Sequence, residues 1–199
     1  MDNIHRNEAE LEGLVLTPPA LSHENHGTAF YRFVLEVPRL SGQADRLPIL
    51  VTGAQLPMVA VGRQLRITGQ LRSFNNRSSQ GSRLVLSVYA RTVQPPTGEA
   101  ANCIRLSGTL CKPPVLRRTP LGRSICDLML AVPRRYGRAD YLPVIAWGQL
   151  AGELSRRTVG DAVTLEGRIQ SRQYTKVTDS GPEERTAYEV SIMHLAEEE

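Results

Sequence analysis

The sequence repeats itself at an offset of 95 residues, and this repeat limits the possible folds more than any other feature. Residues 12–53 fall on residues 107–148 without a gap, and after a three-residue insertion the match resumes at 61–62 on 159–160 and includes Gly69 on Gly167. The aligned pairs include Gly13 and Gly108, Pro18 and Pro113, Gly27 and Gly122, Pro38 and Pro133, Asp45 and Asp140, and Gly53 and Gly148. Because glycine and proline set special backbone angles, their coincidence predicts one backbone path drawn twice. The 199 residues therefore predict two domains, each large enough to bury its own core.

Apolar residues alternate with others in both copies, which predicts strands with one buried face. The predicted strands cover 11–17, 30–38, 47–53, 63–72 and 83–93 in the first copy, and 104–111, 124–133, 141–147, 161–172 and 185–195 in the second. Helices are predicted at 54–61, short or broken by Pro57, and at 148–157. Five strands with a helix between the third and fourth is the order of an OB-fold barrel. The predicted fold class is all-β, with two tandem five-stranded OB-fold barrels, each with a short helix between strands 3 and 4.

The predicted domain limits follow from the repeat and from composition. An N-terminal domain covers 8–94, a linker rich in Pro, Gly and Ala covers 95–102, and a C-terminal domain covers 103–196. Polar loops at 73–82 and 173–184 are expected between the last two strands of each copy. Gly69 and Gly167, inside otherwise apolar strands, predict a sharp bend or a close backbone approach.

Charge is distributed unevenly along the chain. Residues 103–178 hold thirteen Lys or Arg against five Asp or Glu, a net charge of +8, whereas the whole chain carries +4. Nearly all these cations are arginine, which binds phosphate as a fork and stacks on bases, although a high-GC genome also favours arginine. No apolar run is long enough to span a membrane and the polar N-terminus does not resemble a secretory signal, so a cytoplasmic location is expected. Cys103, Cys111 and Cys126 lack metal-site spacing, and His23 and His26 lie in a turn-like polar stretch, so neither metal nor cofactor is expected.

The second copy resembles the bacterial single-stranded DNA-binding protein family. The resemblance rests on the strand 2 to strand 3 segment LAVPRRYGRADYLPVIAW, the following Trp-Gly and helix, Val-Gly-Asp, and EGRIQSRQY, and it covers nearly all of 103–195. The first copy shares the glycines, prolines and apolar positions that set the backbone, but fewer of the other residues of these motifs. The resemblance implies a tandem two-domain member of the family that binds single strands independently of sequence in replication, recombination and repair, at the nucleoid.

In that family, aromatic side chains on the barrel surface stack on bases, and these positions fall here on Tyr136, Tyr141, Trp147 and Tyr174. Stacking tolerates any sequence because every base has a π-face. The predicted phosphate contacts are Arg117, Arg118, Arg123, Arg134, Arg135, Arg138, Arg168, Arg172 and Lys176. The alternative is that some of these rings belong to the core, above all Trp147 in the apolar run VIAW; Tyr188 is assigned to the core.

The first copy lacks these aromatic residues, because the aligned positions hold Ser41, Arg46, Thr52 and Asn76. Its arginines are expected to make only secondary phosphate contacts. These are Arg39, Arg46, Arg66, Arg72 and Arg77. The C-terminal domain is therefore the predicted principal site, with the first domain as scaffold, oligomer contact or extension of the path.

The resemblance also bears on partners. Members of the family commonly assemble four barrels, so two barrels in one chain imply a homodimer. Typical members end in a long tail with an acidic, apolar tip that recruits replication and repair proteins, whereas this sequence ends in HLAEEE, so recruitment through such a tail is not expected.

Other functions stay open at this point. No phosphate-loop, dinucleotide-binding or HExxH motif occurs, and the carboxylates of the second copy are scattered, so an enzyme is not expected. The alternatives are an RNA-binding or primosome-type OB-fold accessory protein, or an OB-fold module that binds other proteins.

Overall fold

The computed structural model describes residues 6–78 and 83–196, and these residues are mostly β-strand. The chain divides into two compact units. One comprises Glu8–Arg72 with Leu86–Cys103, and the other comprises the described residues of Met1–Asn7, Ser73–Val85 and Ile104–Glu199. The prediction of a mostly β protein is confirmed. No helix in the part of the chain described here is long and apolar enough to cross a membrane.

The described residues of the first repeat form six strands and one short 3₁₀ helix. They are β1 (Asn7–Val15), β2 (Ala20–Asn25), β3 (Thr28–Pro38), β4 (Ala44–Thr52), the 3₁₀ helix Gly53–Met58, β5 (Gln64–Asn75) and β6 (Leu84–Gln94). β1 pairs with both β3 and β5, β3 pairs with β4, and β4 lies parallel to β6, which pairs with β5. These pairings close a circuit of five strands, and β2 extends it beside β3.

The second repeat follows the same course. Its elements are β7 (Asn102–Leu110), β8 (Val115–Arg118), β9 (Ser124–Pro133), the 3₁₀ helix Arg135–Gly137, β10 (Ala139–Trp147), α1 (Gly148–Leu154), β11 (Ala162–Thr178) and β12 (Gly181–Leu195). β7 pairs with β9 and β11, β9 pairs with β10, and β10 lies parallel to β12, which pairs with β11. β8 lies beside β9, as β2 lies beside β3.

The core of each unit is built by the alternation predicted from the sequence. Phe33 and Leu35 on β3 are opposite Ile49 and Leu47 on β4, and all four side chains are buried. The two glycines expected at close approaches occur where predicted. A Cβ on Gly69 would overlap the carbonyl oxygen of Tyr89, and a Cβ on Gly167 would overlap that of Ser191. The same steric requirement therefore recurs in both repeats.

Two local features differ from the sequence-based expectation, and a third agrees with it. The short strands β2 and β8 were not expected, because their side chains are exposed and leave no alternation of apolar residues. The helix of the first repeat is a 3₁₀ helix that contains Pro57, in line with the prediction of a short element. The helix of the second repeat ends at Leu154, before the expected residue 157.

The expected polar loop at 173–184 was wrong. β11 and β12 continue as a hairpin whose register runs to Thr178 opposite Gly181, so only Asp179 and Ser180 form the turn. Thr, Tyr and Val favour strands even when exposed, and the cross-strand hydrogen bonds need no buried face. Of the corresponding expected loop in the first repeat, 79–82 lie outside the described residues, as do Glu197, Glu198 and Glu199.

The linker is held against the N-terminal unit rather than left loose. The Glu12 carboxylate on β1 accepts hydrogen bonds from the backbone N–H groups of Thr97 and Gly98, at 3.1 and 2.9 Å, and from Arg66 Nη1 at 2.9 Å. Burial opposes ionisation of Glu12, but these hydrogen bonds outweigh it and lower the pKa of its carboxyl to about 2.

Candidate nucleic-acid interface

The outward side of β9 and β10 carries two of the four predicted rings. The register sets Tyr141 opposite Ala131 and Trp147 opposite Ile125, while Leu142 between them points into the core. Tyr141 is 47% exposed and Trp147 is half-buried. Because they are an even number of residues apart on one strand, both rings face the same way, and neither belongs to the closed core.

Trp147 is covered on one side by a cation. The Arg123 guanidinium carbon lies 5.0 Å from the centroid of the Trp147 ring, within the range of a cation–π contact. Arg123 ends the turn between β8 and β9, where its N–H donates to Thr119 Oγ1 at 3.1 Å and its carbonyl accepts from the Thr119 N–H at 2.9 Å. The turn therefore holds the cation beside the ring.

Tyr136 is the most exposed of the four rings. It lies in the 3₁₀ turn between β9 and β10, with a positive φ of 65°, and 96% of its surface faces water. Left-handed backbone costs a residue with a side chain about 1–2 kcal/mol. The neighbouring Arg135 and Arg138 are also exposed. The turn thus presents one ring and two cations to solvent.

The β11–β12 hairpin collects the remaining predicted residues on one side. Arg168, Arg172, Tyr174 and Lys176 are an even number of residues apart on β11 and so share one face. The Arg172 guanidinium carbon lies 5.8 Å from the Tyr174 ring centroid, and Arg172 Nε is 3.8 Å from Glu189 Oε1. Tyr174 is half-buried opposite Arg185, and Lys176 is exposed.

Several predicted cations already have an acidic neighbour. Arg117 donates to both oxygens of Asp127, at 2.5 and 3.2 Å, and this hydrogen bonding raises the pKa of Arg117. Both side chains are nearly half exposed, so the pair contributes at most about 1 kcal/mol. Arg134 Nη1 lies 3.6 Å from Asp140, while Arg118 is exposed. Buried Arg168 Nε has no hydrogen-bond partner among the described residues.

The secondary set in the first repeat falls into two groups. Arg39 donates to both oxygens of the fully buried Asp45, at 2.7 and 2.5 Å, and Arg66 pairs with Glu10 and Glu12. These two guanidinium groups hold their own domain together, so we leave them out of any binding path. Arg72 donates to Gln70, and it is half-buried. Arg46, 3.6 Å from Glu36, and Arg77 are exposed.

Sequence reasoning missed an aromatic cluster in the first repeat. His23 on β2 stacks on Phe30 on β3, with ring centroids 4.8 Å apart and planes 11° apart, and Tyr89 on β6 lies 6.0 Å from Phe30. His23 is therefore on a strand, not in the expected loop. The repeat alignment gave no signal, because Arg118 and Ile125 occupy the positions of His23 and Phe30. Tyr188, assigned to the core, is only half-buried.

Comparison with known proteins finds a family match in the second half of the chain. Residues 101–196 match the model described as "Single-strand binding protein family". A "Single-stranded DNA-binding protein" of Thermus aquaticus is 36% identical over 107 residues, which are 51% of this chain and 39% of the relative. "Single-stranded DNA-binding protein 2" of Streptococcus agalactiae is 32% identical over 82 residues, which are 38% of this chain and 63% of the relative. The chain therefore spans less than two thirds of either relative.

The likeness in fold extends over the whole chain. The crystal structure of the wild-type single-stranded DNA binding protein from Thermus aquaticus matches with a TM-score of 0.77 and 24% identity, and covers 98% of this chain and 93% of that one. A deletion mutant of the same protein matches with a TM-score of 0.74 and 25% identity over 96% of this chain. The predicted resemblance to a two-domain bacterial single-stranded DNA-binding protein is confirmed.

Proposed function

We propose that the chain belongs to the Single-strand binding protein family, whose model matches residues 101–196, and that it binds single-stranded DNA independently of sequence and protects it during replication, recombination and repair. It acts as a binding protein at the nucleoid rather than as an enzyme. Each closed circuit of five strands is, in this proposal, an OB-fold barrel whose outer face meets the nucleic acid.

One observation carries the proposal: two accessible rings of the C-terminal unit each lie beside a guanidinium group. Arg123 lies 5.0 Å from Trp147, and Arg172 lies 5.8 Å from Tyr174. A base that slides onto such a ring gains about 1–3 kcal/mol by stacking, and its phosphate then lies within reach of the neighbouring arginine. Rings and cations arranged in this way suit a flexible anionic strand.

The strand geometry supports a path rather than a single pocket. Tyr141 and Trp147 are six residues apart on β10, about 20 Å along an extended strand, so they would hold different nucleotides. β12 lies parallel to β10 with Ser191 level with Ile145. Ala187 and Tyr141 are each four residues N-terminal to this pair, on β12 and β10 respectively. Ala187 in turn pairs with Arg172 on β11. The Tyr174 side of the hairpin and Tyr141 would therefore line one continuous face.

Phosphate neutralisation would come from exposed arginine and lysine side chains of the C-terminal unit. Arg118, Arg135, Arg138 and Lys176 are exposed, and Arg117 can turn from Asp127 to a phosphate at small cost. Guanidinium groups stay charged at any physiological pH. Binding should consequently weaken steeply with salt, because each neutralised phosphate releases counterions.

We further propose that the C-terminal unit is the principal site and that the chain forms a homodimer with four barrels. The first repeat would extend the path through Arg46 and Arg77, which are exposed. Light scattering should give twice the mass of one 22.0 kDa chain. The mass of a single chain in dilute solution would contradict the dimer.

The function is tested by competition among nucleic acids. Labelled oligo-dT bound at low salt should be displaced by unlabelled poly(dT) far more effectively than by duplex DNA. Displacement by poly(U) at lower concentrations than poly(dT) would favour the RNA-binding alternative. An absence of binding to any single strand at low ionic strength would leave only the protein-binding module.

A further inference from the structure

The end of β5 and the residues after it form part of the C-terminal unit, although they belong to the first repeat. Ser73–Val85 cluster with Ile104–Glu199. Two hydrogen bonds fasten this segment: the Ser73 N–H donates to Asp140 Oδ1 at 2.8 Å, and the Tyr141 N–H donates to Ser73 Oγ at 2.7 Å. The carboxylate of Asp140 is fully buried, so the anchor is firm.

The residue that follows Ser73 is a solvent-exposed phenylalanine. Phe74 is 56% exposed, and its Cα lies about 3.8 Å from that of Ser73. Tyr141, hydrogen-bonded to the same serine, is 47% exposed. Two aromatic side chains therefore flank one anchor on the unit that carries the predicted rings.

The surroundings of Phe74 are cationic. Arg134 Nη1 lies 3.6 Å from the same Asp140, and Arg77 and Arg83, which follow Phe74 along the segment, are exposed. The Asn76 N–H donates to the Arg83 carbonyl at 2.6 Å, which holds the two sides of the segment together. The segment that carries the exposed Phe74 ring therefore also carries exposed cations that could meet a phosphate.

We propose that Phe74 is a base-stacking residue of the C-terminal site, supplied by the first repeat and anchored through Ser73 to the unit that carries Tyr141. This inference rests on the proposed binding of single-stranded nucleic acid. The ligand is an unpaired nucleotide of the same strand that stacks on Tyr141, with its phosphate near Arg134 or Arg77. The first repeat thereby completes a site that its own outer face does not form.

The test compares Phe74→Ala, Phe74→Trp and the control Val61→Ala in the full chain. Val61 is 58% exposed, as Phe74 is 56% exposed, and it belongs to the unit that carries none of the four predicted rings. Losing one stacked base should weaken oligo-dT binding about tenfold in Phe74→Ala. Phe74→Trp should stay within about threefold of the wild type, because a larger ring still stacks, and Val61→Ala within about twofold.

A double-mutant cycle and a cross-link locate the contact. Phe74→Ala and Tyr141→Ala should lose less together than the product of their separate losses, because adjacent nucleotides bind as a unit. Irradiation with an oligonucleotide that carries 5-iodouracil should label the peptide containing Phe74. If the wild type binds well and Phe74→Ala binds with the same affinity, this inference alone is overturned. It is also overturned if Phe74→Ala changes the mass in solution while its affinity stays the same. A wild type that binds no single strand overturns the proposed function first.

Discussion

The two repeats share a backbone and differ on their outer faces. Both close the same circuit of five strands, and both set an arginine against a buried aspartate, Arg39 with Asp45 and Arg134 with Asp140. Where the second repeat has Tyr141 and Trp147, the first has Arg46 and Thr52. Turns, close approaches and inward side chains thus keep the fold, whereas the outward positions of the same strands are free to carry or lose a function.

The largest expected effect comes from removing two rings on the C-terminal unit. Trp147→Ala with Tyr174→Ala should cost about 4 kcal/mol of binding free energy, roughly a thousandfold in affinity, because two stacked bases are lost. The changes at the aligned positions, Thr52→Ala with Asn76→Ala, should alter affinity by less than about threefold. Fluorescence anisotropy with labelled oligo-dT measures both. Equal losses in the two pairs would remove the difference between the repeats.

Removing the arginine at the buried aspartate should destabilise the first repeat more than the second. Arg39 holds Asp45 through two hydrogen bonds, whereas Arg134 approaches Asp140 only to 3.6 Å. Arg39→Gln should lower the free energy of unfolding by about 3 kcal/mol, since a buried carboxylate loses its charged partner, and Arg134→Gln by about 1 kcal/mol. Urea denaturation followed by circular dichroism compares them. A larger cost for Arg134→Gln would reverse the assignment.

The salt dependence of binding should also separate the repeats. Arg135→Gln with Arg138→Gln removes two exposed cations from the C-terminal unit, so the slope of log K against log salt should become shallower by about 1.4. Arg46→Gln in the first repeat should change the slope by less than about 0.7. Titrations from 50 to 400 mM NaCl, roughly the range over which such slopes are linear, provide the measurement. A greater change for Arg46→Gln would place the main phosphate path on the first repeat.

Lowering the pH should destabilise the first repeat before the second. This is the smallest of the four expected effects. The folded pKa of Glu12 is about 2, lowered from 4.5. A carboxyl group whose pKa is lower in the folded than in the unfolded state stabilises the fold. This contribution is fully present at a pH above the unfolded-state pKa and is lost as pH falls from about 4.5 towards 2. The aligned residue in the second repeat is Ser107, which bonds Thr164 at 3.1 Å and does not titrate.

Hydrogen exchange of β1 and β7 at pH 6 and pH 3.5 measures this difference. Protection should fall more in β1 than in β7, and Glu12→Gln should remove the excess fall. An equal loss of protection in both strands, or an excess that persists in Glu12→Gln, would show that Glu12 is not its cause.

Much of the fold follows from the sequence, because the repeat and the period-two alternation both depend on backbone geometry and on burial. β3, β4, β9 and β10 lie close to their predicted bounds, and Gly69 and Gly167 make the expected close approaches. β2, β8 and the outer part of the β11–β12 hairpin were missed because they are exposed, so that their pairing depends on backbone hydrogen bonds rather than on a hydrophobic pattern.

The candidate site was harder to predict than the fold. The alternation on β10 is enough to place Tyr141 and Trp147 outward. The partners of Arg66, by contrast, are 54 and 56 residues away in sequence, and no local pattern shows that its charge serves the fold. The stack of His23 on Phe30 depends on β2, and the position of Phe74 depends on the two hydrogen bonds of Ser73. Such long-range contacts become visible only in three dimensions.

Trp147 is the only tryptophan of the chain, so its emission reports on the C-terminal outer face alone. Titrating the 199-residue chain with oligo-dT at low salt should quench this emission in a saturable manner, and added salt should restore it. Tight binding detected by anisotropy with the tryptophan emission unchanged would contradict stacking at this ring and, with it, the central claim.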